Sequence, residues 1–209
     1  MKPSLSVLLV DDHALVRRGF RRLIEDEADL TVVGEASDGQ QAVELTERLE
    51  PDVVVLDYAL PEMNGALAAR HILAAKPRTA ILMLSMHVEA SYVQNSFEAG
   101  ARGYLLKNAA DLELVDAIRQ VAAGKRVVDP RLPPRGPEPA GKRFSLTTRE
   151  MEVLHHIVAG KSNKEIANHL DLSVNTVAVH RANIMEELGL HNTAELVVYA
   201  IRNGLVTLP

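Results

Sequence analysis

Short apolar runs alternate with amphipathic stretches through residues 1–126. The apolar runs are four to six residues long and rich in β-branched side chains, as buried parallel strands are. They lie at 6–10, 31–36, 53–56, 80–84 and 103–106. Helical patterns follow them from about 14 through 24, from 37–38 through 45, and at 66–75, 89–99 and 112–123. In the first of these helices, Leu15, Phe20, Leu23 and Ile24 form the apolar stripe. Five strand-and-helix units predict a doubly wound α/β fold, with a five-stranded parallel sheet and helices on both faces.

The pattern becomes wholly helical after residue 141. Four helices are predicted. The first has an apolar stripe from Met151 to Val158 and ends at Gly160, and the others lie at about 164–170, 175–188 and 194–203, with a tight turn at 171–173 between the second and third. Short helices joined by such a turn are typical of a helix-turn-helix. At 100° per residue, the third helix has one stripe that we expect to face the core and an opposite stripe that we expect to face solvent. The inward stripe is Val177, His180, Ile184 and Leu188, and the outward stripe is Asn175, Val179, Ala182 and Glu186.

A proline-rich segment separates the two patterns. Five of the ten prolines fall within residues 127–141, where they remove backbone donors and favour an extended, semi-rigid tether. We therefore expect a first domain at 1–126, a linker at 127–141 and a second domain at 142–209. A chain of 209 residues with 47% hydrophobic residues can build a core in each domain.

Charge and cysteine content add little to this picture. The net charge of −5 comes from residues 1–126, which carry 14 basic and 19 acidic residues, whereas residues 142–209 carry seven of each. The absence of cysteine excludes disulfides and thiolate metal sites, and no apolar stretch approaches the roughly 18 residues of a membrane span. We expect a soluble, cytoplasmic protein. Composition alone does not indicate DNA binding, because nucleic-acid-binding domains are usually basic.

Three acidic residues stand where predicted strands end. Asp11 and Asp12 follow the first strand and Asp57 follows the third, so their carboxylates should meet at the carboxyl edge of the sheet. Taken singly, Asp12 could be a helix cap and Asp57 the end of a strand. Three carboxylates brought together repel one another, and a divalent cation with oxygen ligands is the simplest relief.

Residues 57–65, DYALPEMNG, together with Asp11-Asp12, Ser85 and Lys107 resemble the receiver domain of two-component response regulators. Within residues 146–206, the segments TTRE (147–150), GKSNKEIA (160–167) and TVAVHRANIM (176–185) resemble the LuxR-type helix-turn-helix. The pair, in this order, resembles the NarL/FixJ class of transcriptional regulators and covers the chain apart from the linker.

The resemblance implies a role for each of these residues in the first domain. Asp57 would accept a phosphoryl group from a histidine kinase, and Lys107 would contact a phosphoryl oxygen. Mg²⁺ would be held by Asp12, Asp57 and the carbonyl of Ala59, with Asp11 acting through water. Ser85 would move toward the phosphate and Tyr104 would turn inward behind it, which would change the face made by residues 87–104.

In the second domain the resemblance implies that the third helix enters the major groove of promoter DNA. Part of the last helix would mediate homodimerisation, although its apolar residues could equally serve the core. The residues expected to meet DNA are Lys161, Lys164, Asn175, Thr176, Val179, Arg181 and Ala182. Ala178 and Glu187 stand where many relatives carry a basic residue.

Two alternatives remain open at this point. A phosphatase of the haloacid dehalogenase type also uses a strand-end aspartate, but it expects a second aspartate two residues later, where this chain has Ala59. The second domain, being neutral, could instead bind protein. The favoured interpretation is a phosphorylation-controlled transcriptional regulator that is not an enzyme.

Overall fold

The computed structural model describes residues 4–132 and 146–206. Contacts between residues divide the chain into two compact units, Met1–Pro134 and Arg135–Pro209. Most of the predicted linker, residues 133–141, lies outside the described residues, as do residues 142–145 at the predicted start of the second domain. The domain bounds therefore stay a prediction.

The first unit is a parallel sheet flanked by helices. Its elements are β1 (Leu5–Val10), α1 (Ala14–Glu25), β2 (Leu30–Ala36), α2 (Gly39–Leu49), β3 (Val53–Asp57), α3 (Gly65–Ala75), β4 (Ala80–Ser85), α4 (Ala90–Glu98), β5 (Gly103–Leu106), α5 (Ala110–Ala122) and β6 (Val127–Val128). The strand order is β2-β1-β3-β4-β5-β6, and every neighbouring pair is parallel. The doubly wound α/β prediction is confirmed.

The sheet has six strands where the sequence predicts five. The additional strand, β6, pairs Val127 with Gly103 and Val128 with Tyr104 at the edge of the sheet. A two-residue strand followed by Pro130 is too short to show an alternating pattern, which is why periodicity does not reveal it. It lies within the segment predicted as linker.

Both faces of the sheet are covered. Alternate residues of β3 contribute to two separate apolar clusters, with Val54 and Leu56 on the face of α2 and α3, and Val53 and Val55 on the face of α1 and α5. This arrangement follows from the period of two in a strand and explains why β3 is apolar at consecutive positions. Leu15, expected in the buried stripe of α1, is instead 76% exposed.

The second unit contains four helices in its described part. They are α6 (Thr148–Val158), α7 (Asn163–His169), α8 (Val174–Leu188) and α9 (Thr193–Arg202). Capping boxes begin α6 and α7, since Thr147 pairs reciprocally with Glu150, and Ser162 with Glu165. The buried side chains of these helices include Leu154, Ile166, Val177, Ile184 and Leu196. The all-α prediction with a helix-turn-helix is confirmed.

Candidate functional site

Three charged side chains converge at the carboxyl edge of the sheet. Asp11 follows β1, Asp57 ends β3 and Lys107 follows β5. Lys107 Nζ lies 2.6 Å from Asp57 Oδ2 and 2.7 Å from Asp11 Oδ2, so one ammonium bridges both carboxylates. Asp11 and Asp57 are buried, with 3% and 1% exposure. Two carboxylates can be buried this close together because the lysine charge offsets their repulsion.

The environment of Asp57 changes its proton affinity. Burial raises the pKa of Asp57 to about 6, although the Lys107 ammonium opposes this rise, and the neighbouring Asp11 charge adds to it. The N–H of Ala59 donates to Asp57 Oδ1 at 3.1 Å and favours the ionised form. For Lys107, burial alone would lower the pKa, but the Asp57 and Asp11 carboxylates outweigh it and raise the pKa. At pH 7 or above the site therefore contains an ionised aspartate beside an ammonium.

Asp12 and His13 extend the cluster toward solvent. His13 Nδ1 lies 2.6 Å from Asp12 Oδ1 and 3.5 Å from Asp11 Oδ1. Ligand atoms of Asp11, Asp12, His13 and Asp57 all lie within 4.8 Å of one another, and no other group of this kind occurs among residues 4–132 and 146–206. His13 is not singled out by the sequence analysis. The available signal is its position directly after the acidic pair, at the N-cap of α1.

The loop between β3 and α3 brings its backbone close to Asp57. Gly65 donates its N–H to the carbonyl of Tyr58 at 2.8 Å, and Asn64 caps α3 by accepting from Leu67 N–H at 2.8 Å. A Cβ at position 65 would lie 2.3 Å from the carbonyl oxygen of Asp57, so only glycine fits. The tight loop keeps Ala59, whose N–H faces Asp57, at the edge of the site.

Ser85 and Tyr104 both contact the backbone of His87. Ser85 ends β4 and its Oγ accepts from His87 N–H at 3.0 Å, while the Tyr104 hydroxyl donates to the His87 carbonyl at 2.9 Å. Tyr104 is fully buried, and burial raises its pKa far above the ordinary value, so it remains a hydrogen-bond donor. The His87 ring stacks on Tyr92 with centroids 3.9 Å apart, and Tyr58 meets Tyr92 edge-on at 5.0 Å. This aromatic cluster is a feature that the sequence analysis does not predict.

The two stripes of α8 face as expected. Val177, Ile184 and Leu188 are buried and His180 is half-buried. Asn175, Val179, Ala182 and Glu186 are all exposed, and Val179 is 57% exposed. Thr176 is half-buried and its Oγ1 lies 2.8 Å from Ser173 Oγ at the helix start. A contiguous outward face is thus available on α8.

The three basic residues expected to meet DNA differ in their contacts within the second unit. Lys164 is exposed at the start of α7, and Lys161 Nζ lies 3.2 Å from His169 Nε2. Arg181 instead donates to Asn163 Oδ1 at 3.1 Å and to Thr193 Oγ1 at 2.6 Å, and so joins α8 to the starts of α7 and α9. Its guanidinium is engaged within the domain.

Comparison with known proteins finds one family match in each of the two units. Residues 7–119 match the response regulator receiver domain, and residues 144–200 match the bacterial regulatory proteins of the luxR family. The response regulator UvrY of Escherichia coli is 39% identical over 96% of this chain and 95% of its own. The transcriptional regulatory protein LiaR of Bacillus subtilis is 36% identical over 97% and 99%.

Solved structures agree with these relatives. A two-component response regulator of the LuxR family from Aurantimonas sp. superposes with a TM-score of 0.60 at 41% identity, covering 62% of this chain and 92% of that one. The chain belongs to the response regulators that join a receiver domain to a LuxR-type DNA-binding domain. It is a transcriptional regulator, and its family is not typically enzymatic. In the part that the structure describes, no helix is long and apolar enough to cross a membrane.

Proposed function

We propose that Asp57 accepts a phosphoryl group from the phosphohistidine of a kinase and that this modification promotes dimerisation and promoter binding. The supporting observation is the position of Asp57, ionised at neutral pH, beside both Lys107 and the acidic pair. A carboxylate oxygen of Asp57 would attack phosphorus as the P–N bond breaks. The electron pair of that bond goes to the imidazole nitrogen of the kinase, so the products are an aspartyl phosphate and a free histidine.

The residues at this edge fit Mg²⁺. Asp11, Asp12 and Asp57 bring three carboxylates together against one Lys107 ammonium, and oxygen ligands are those that Mg²⁺ prefers. Asp12, Asp57 and the Ala59 carbonyl would hold the ion, with Asp11 acting through water. When bound, Mg²⁺ supplies positive charge to phosphoryl oxygens.

Lys107 and Ser85 are the groups that would respond to the phosphate. The Lys107 ammonium already contacts Asp57 and can pair with a phosphoryl oxygen instead. The Ser85 hydroxyl can donate to another oxygen, and a movement of Ser85 toward the phosphate would draw its Oγ away from His87 N–H. Because Tyr104 also holds His87, a shift at Ser85 would alter the loop that carries Met86 and Val88, which are 66% and 48% exposed. An exposed apolar surface would thereby depend on phosphorylation.

The outward face of α8 is the surface that we propose for the major groove. Asn175 can read an adenine edge, and Val179 and Ala182 can contact thymine methyl groups, because their side chains are exposed on one face of the helix. Lys161 and Lys164 would contact phosphates. With two such lysines per domain, useful affinity requires a dimer on two half-sites.

Replacement of Asp57 tests the proposal. We expect Asp57→Asn to lose Mg²⁺-dependent labelling by acetyl phosphate and the phosphorylation-dependent gain in DNA binding, since an amide cannot form the acyl phosphate. Asp116→Asn is the matched control, because the Asp116 side chain is 78% exposed on α5. Labelling is measured by mass spectrometry and DNA binding by gel shift on the promoter region of its own gene. Undiminished labelling of Asp57→Asn would move the acceptor to another residue.

A further inference from the structure

The carboxylate of Asp129 holds the edge of the sheet next to the candidate site. It is completely buried, with 0% side-chain exposure. Asp129 Oδ2 accepts from Leu106 N–H at 2.9 Å, and Oδ1 accepts from Arg131 N–H at 2.9 Å. The Arg131 guanidinium adds contacts of 2.8 Å and 2.7 Å to the two oxygens. A buried carboxylate that accepts four hydrogen bonds is held in place by the fold, unlike the solvated side chain expected in a linker.

Asp129 continues the hydrogen bonding to β5 beyond the point where its backbone pairing with β6 ends. The pairing of β6 with β5 ends at Val128, opposite Tyr104, so the ladder supplies no backbone acceptor for Leu106 N–H. Leu106 N–H, in a residue only 4% exposed, would then be buried without an acceptor, which is costly. The Asp129 carboxylate supplies that acceptor, and the Asp129 N–H donates to the Tyr104 carbonyl at 2.9 Å. The end of β5 is therefore bound by one residue on both sides of Leu105.

Residues 127–132, here called the anchor segment, are held at further points. Leu132 is 8% exposed and packs in the apolar cluster that contains Tyr58 and Tyr104. Arg131 also contacts Glu113 of α5 at 3.2 Å. Burial alone would raise the pKa of Asp129, but Arg131 and the N–H groups of Leu106 and Arg131 outweigh it, so the pKa is lowered and the carboxylate stays charged. The anchor segment is thus part of the receiver unit although the sequence pattern favours a linker.

The bound end of β5 carries two residues of the candidate site. Tyr104 lies in β5, and Lys107, whose Nζ is shared between Asp57 and Asp11, directly follows Leu106. A movement of Lys107 toward a phosphoryl group on Asp57 therefore acts on the peptide that Asp129 holds. From Leu132 the chain continues toward the second unit.

We propose that Asp129 is a positioning residue that fixes the end of β5 and passes a phosphorylation-dependent shift of Lys107 and Tyr104 to the anchor segment. The observations that carry this inference are the buried Asp129–Leu106 contact and the packing of Leu132 in the apolar cluster that contains Tyr104. The inference rests on the proposed phosphorylation of Asp57.

Hydrogen exchange in the unaltered full chain provides the first test. We expect phosphorylation by acetyl phosphate with Mg²⁺ to change amide exchange in peptides covering both 104–107 and 127–132, because Asp129 joins them. Peptides from α2 at Gly39–Leu49 serve as the internal reference. A fully phosphorylated chain in which 104–107 responds and 127–132 does not would overturn the inference.

Substitution of Asp129 provides the second test. We expect Asp129→Ala to retain labelling at Asp57 and to exchange the Leu106 amide at least about tenfold faster than the unaltered chain does. The phosphorylation-dependent gain in DNA affinity should be smaller in this variant by a factor of about five or more. Asp129→Asn, which keeps an oxygen for Leu106 N–H, should recover part of that gain. Glu113→Ala removes only the exposed contact of Arg131 and should leave the gain unchanged.

The outcomes separate this inference from the proposed function. If the unaltered chain shows no gain in DNA affinity on phosphorylation, the proposed function fails and the inference fails with it. If the unaltered chain shows the gain and Asp129→Ala retains it in full while the Leu106 amide exchanges faster, only the inference is wrong. If Asp129→Ala does not fold, the exchange experiment on the unaltered chain still decides.

Discussion

At the scale of single residues, the balance of charge at Asp57 is what the structure adds to the sequence. Burial favours the neutral form of Asp57, Lys107 favours the ionised form, and the pKa of about 6 shows that burial outweighs the lysine. A carboxyl whose pKa is raised in the folded state stabilises the fold at low pH, below its unfolded pKa near 3.8. That stability is lost as the pH rises through about 6.

Asp57→Asn should therefore stabilise the receiver domain at high pH. A shift of about two pKa units corresponds to on the order of 3 kcal/mol, so the variant should exceed the unaltered chain by up to that amount at pH 8 and match it near pH 4. Urea unfolding followed by near-ultraviolet circular dichroism reports on this domain, because three of the four tyrosines, Tyr58, Tyr92 and Tyr104, lie in it. Asp116→Asn is the control. Lower stability of Asp57→Asn at pH 8 would mean that the ion pair with Lys107 outweighs burial.

The three charged residues at the sheet edge could be predicted from the sequence, but His13 and the pairing of the charges could not. Strand ends predict that Asp11, Asp57 and Lys107 share an edge, because parallel strands bring their carboxyl ends together. The 2.6 Å and 2.7 Å contacts of Lys107 depend on how deeply each side chain is buried, which periodicity does not report. Arg181 shows the same limit, since its partners Asn163 and Thr193 lie 18 and 12 residues away in the chain.

At the scale of elements, the loop from β3 to α3 depends on one close approach. Gly65 places its Cα where a Cβ would lie 2.3 Å from the Asp57 carbonyl oxygen and 2.9 Å from Tyr58 Cα. Both obstacles are backbone atoms, so the loop itself would have to shift. Such overpacking typically costs about 1–3 kcal/mol.

We expect Gly65→Ala to destabilise the receiver domain by that amount and to slow labelling of Asp57, because the displaced loop carries Ala59. Gly19→Ala is the matched control, since Gly19 lies in α1 with nothing within 4 Å of an added Cβ. That control should be neutral or stabilising by up to about 1 kcal/mol, as alanine favours helix. Equal stability and equal labelling rates for the two variants would contradict the steric argument.

Strands and helices with a long apolar pattern could be predicted from the sequence, whereas elements that form through contacts with distant residues could not. The five longer strands and the four helices of the second unit follow from apolar periodicity. β6 does not, because two residues carry no period, and its existence depends on pairing with Gly103 and Tyr104. The exposure of Leu15 is a similar case. An apolar stripe predicts which face of a helix is buried, but it does not predict how much of the helix length packs against the sheet.

At the scale of the whole molecule, the charge of the second domain does not favour strong electrostatic binding to DNA. The second domain is neutral, and of its expected phosphate contacts Arg181 is engaged with Asn163 and Thr193, which leaves Lys161 and Lys164. Each phosphate contact contributes about −0.9 to the slope of log affinity against log salt concentration. A single domain should therefore bind weakly, with a slope near −2, and a dimer should roughly double it.

We expect the phosphorylated full chain to bind a promoter fragment with two half-sites, and its log affinity to fall with log salt concentration at a slope of about −4. Lys164→Ala removes one phosphate contact per protomer and should change this slope to about −2. Asn175→Ala should instead relax sequence preference at nearly constant slope, because it removes a contact to a base edge and no charge. Lys125→Ala, on the receiver surface, is the control for loss of one lysine. Fluorescence anisotropy between 50 and 200 mM salt measures the slopes, a range over which electrostatic binding changes strongly. An unchanged slope for Lys164→Ala, or tight and salt-steep binding by monomer, would show that another surface of the domain meets the phosphates.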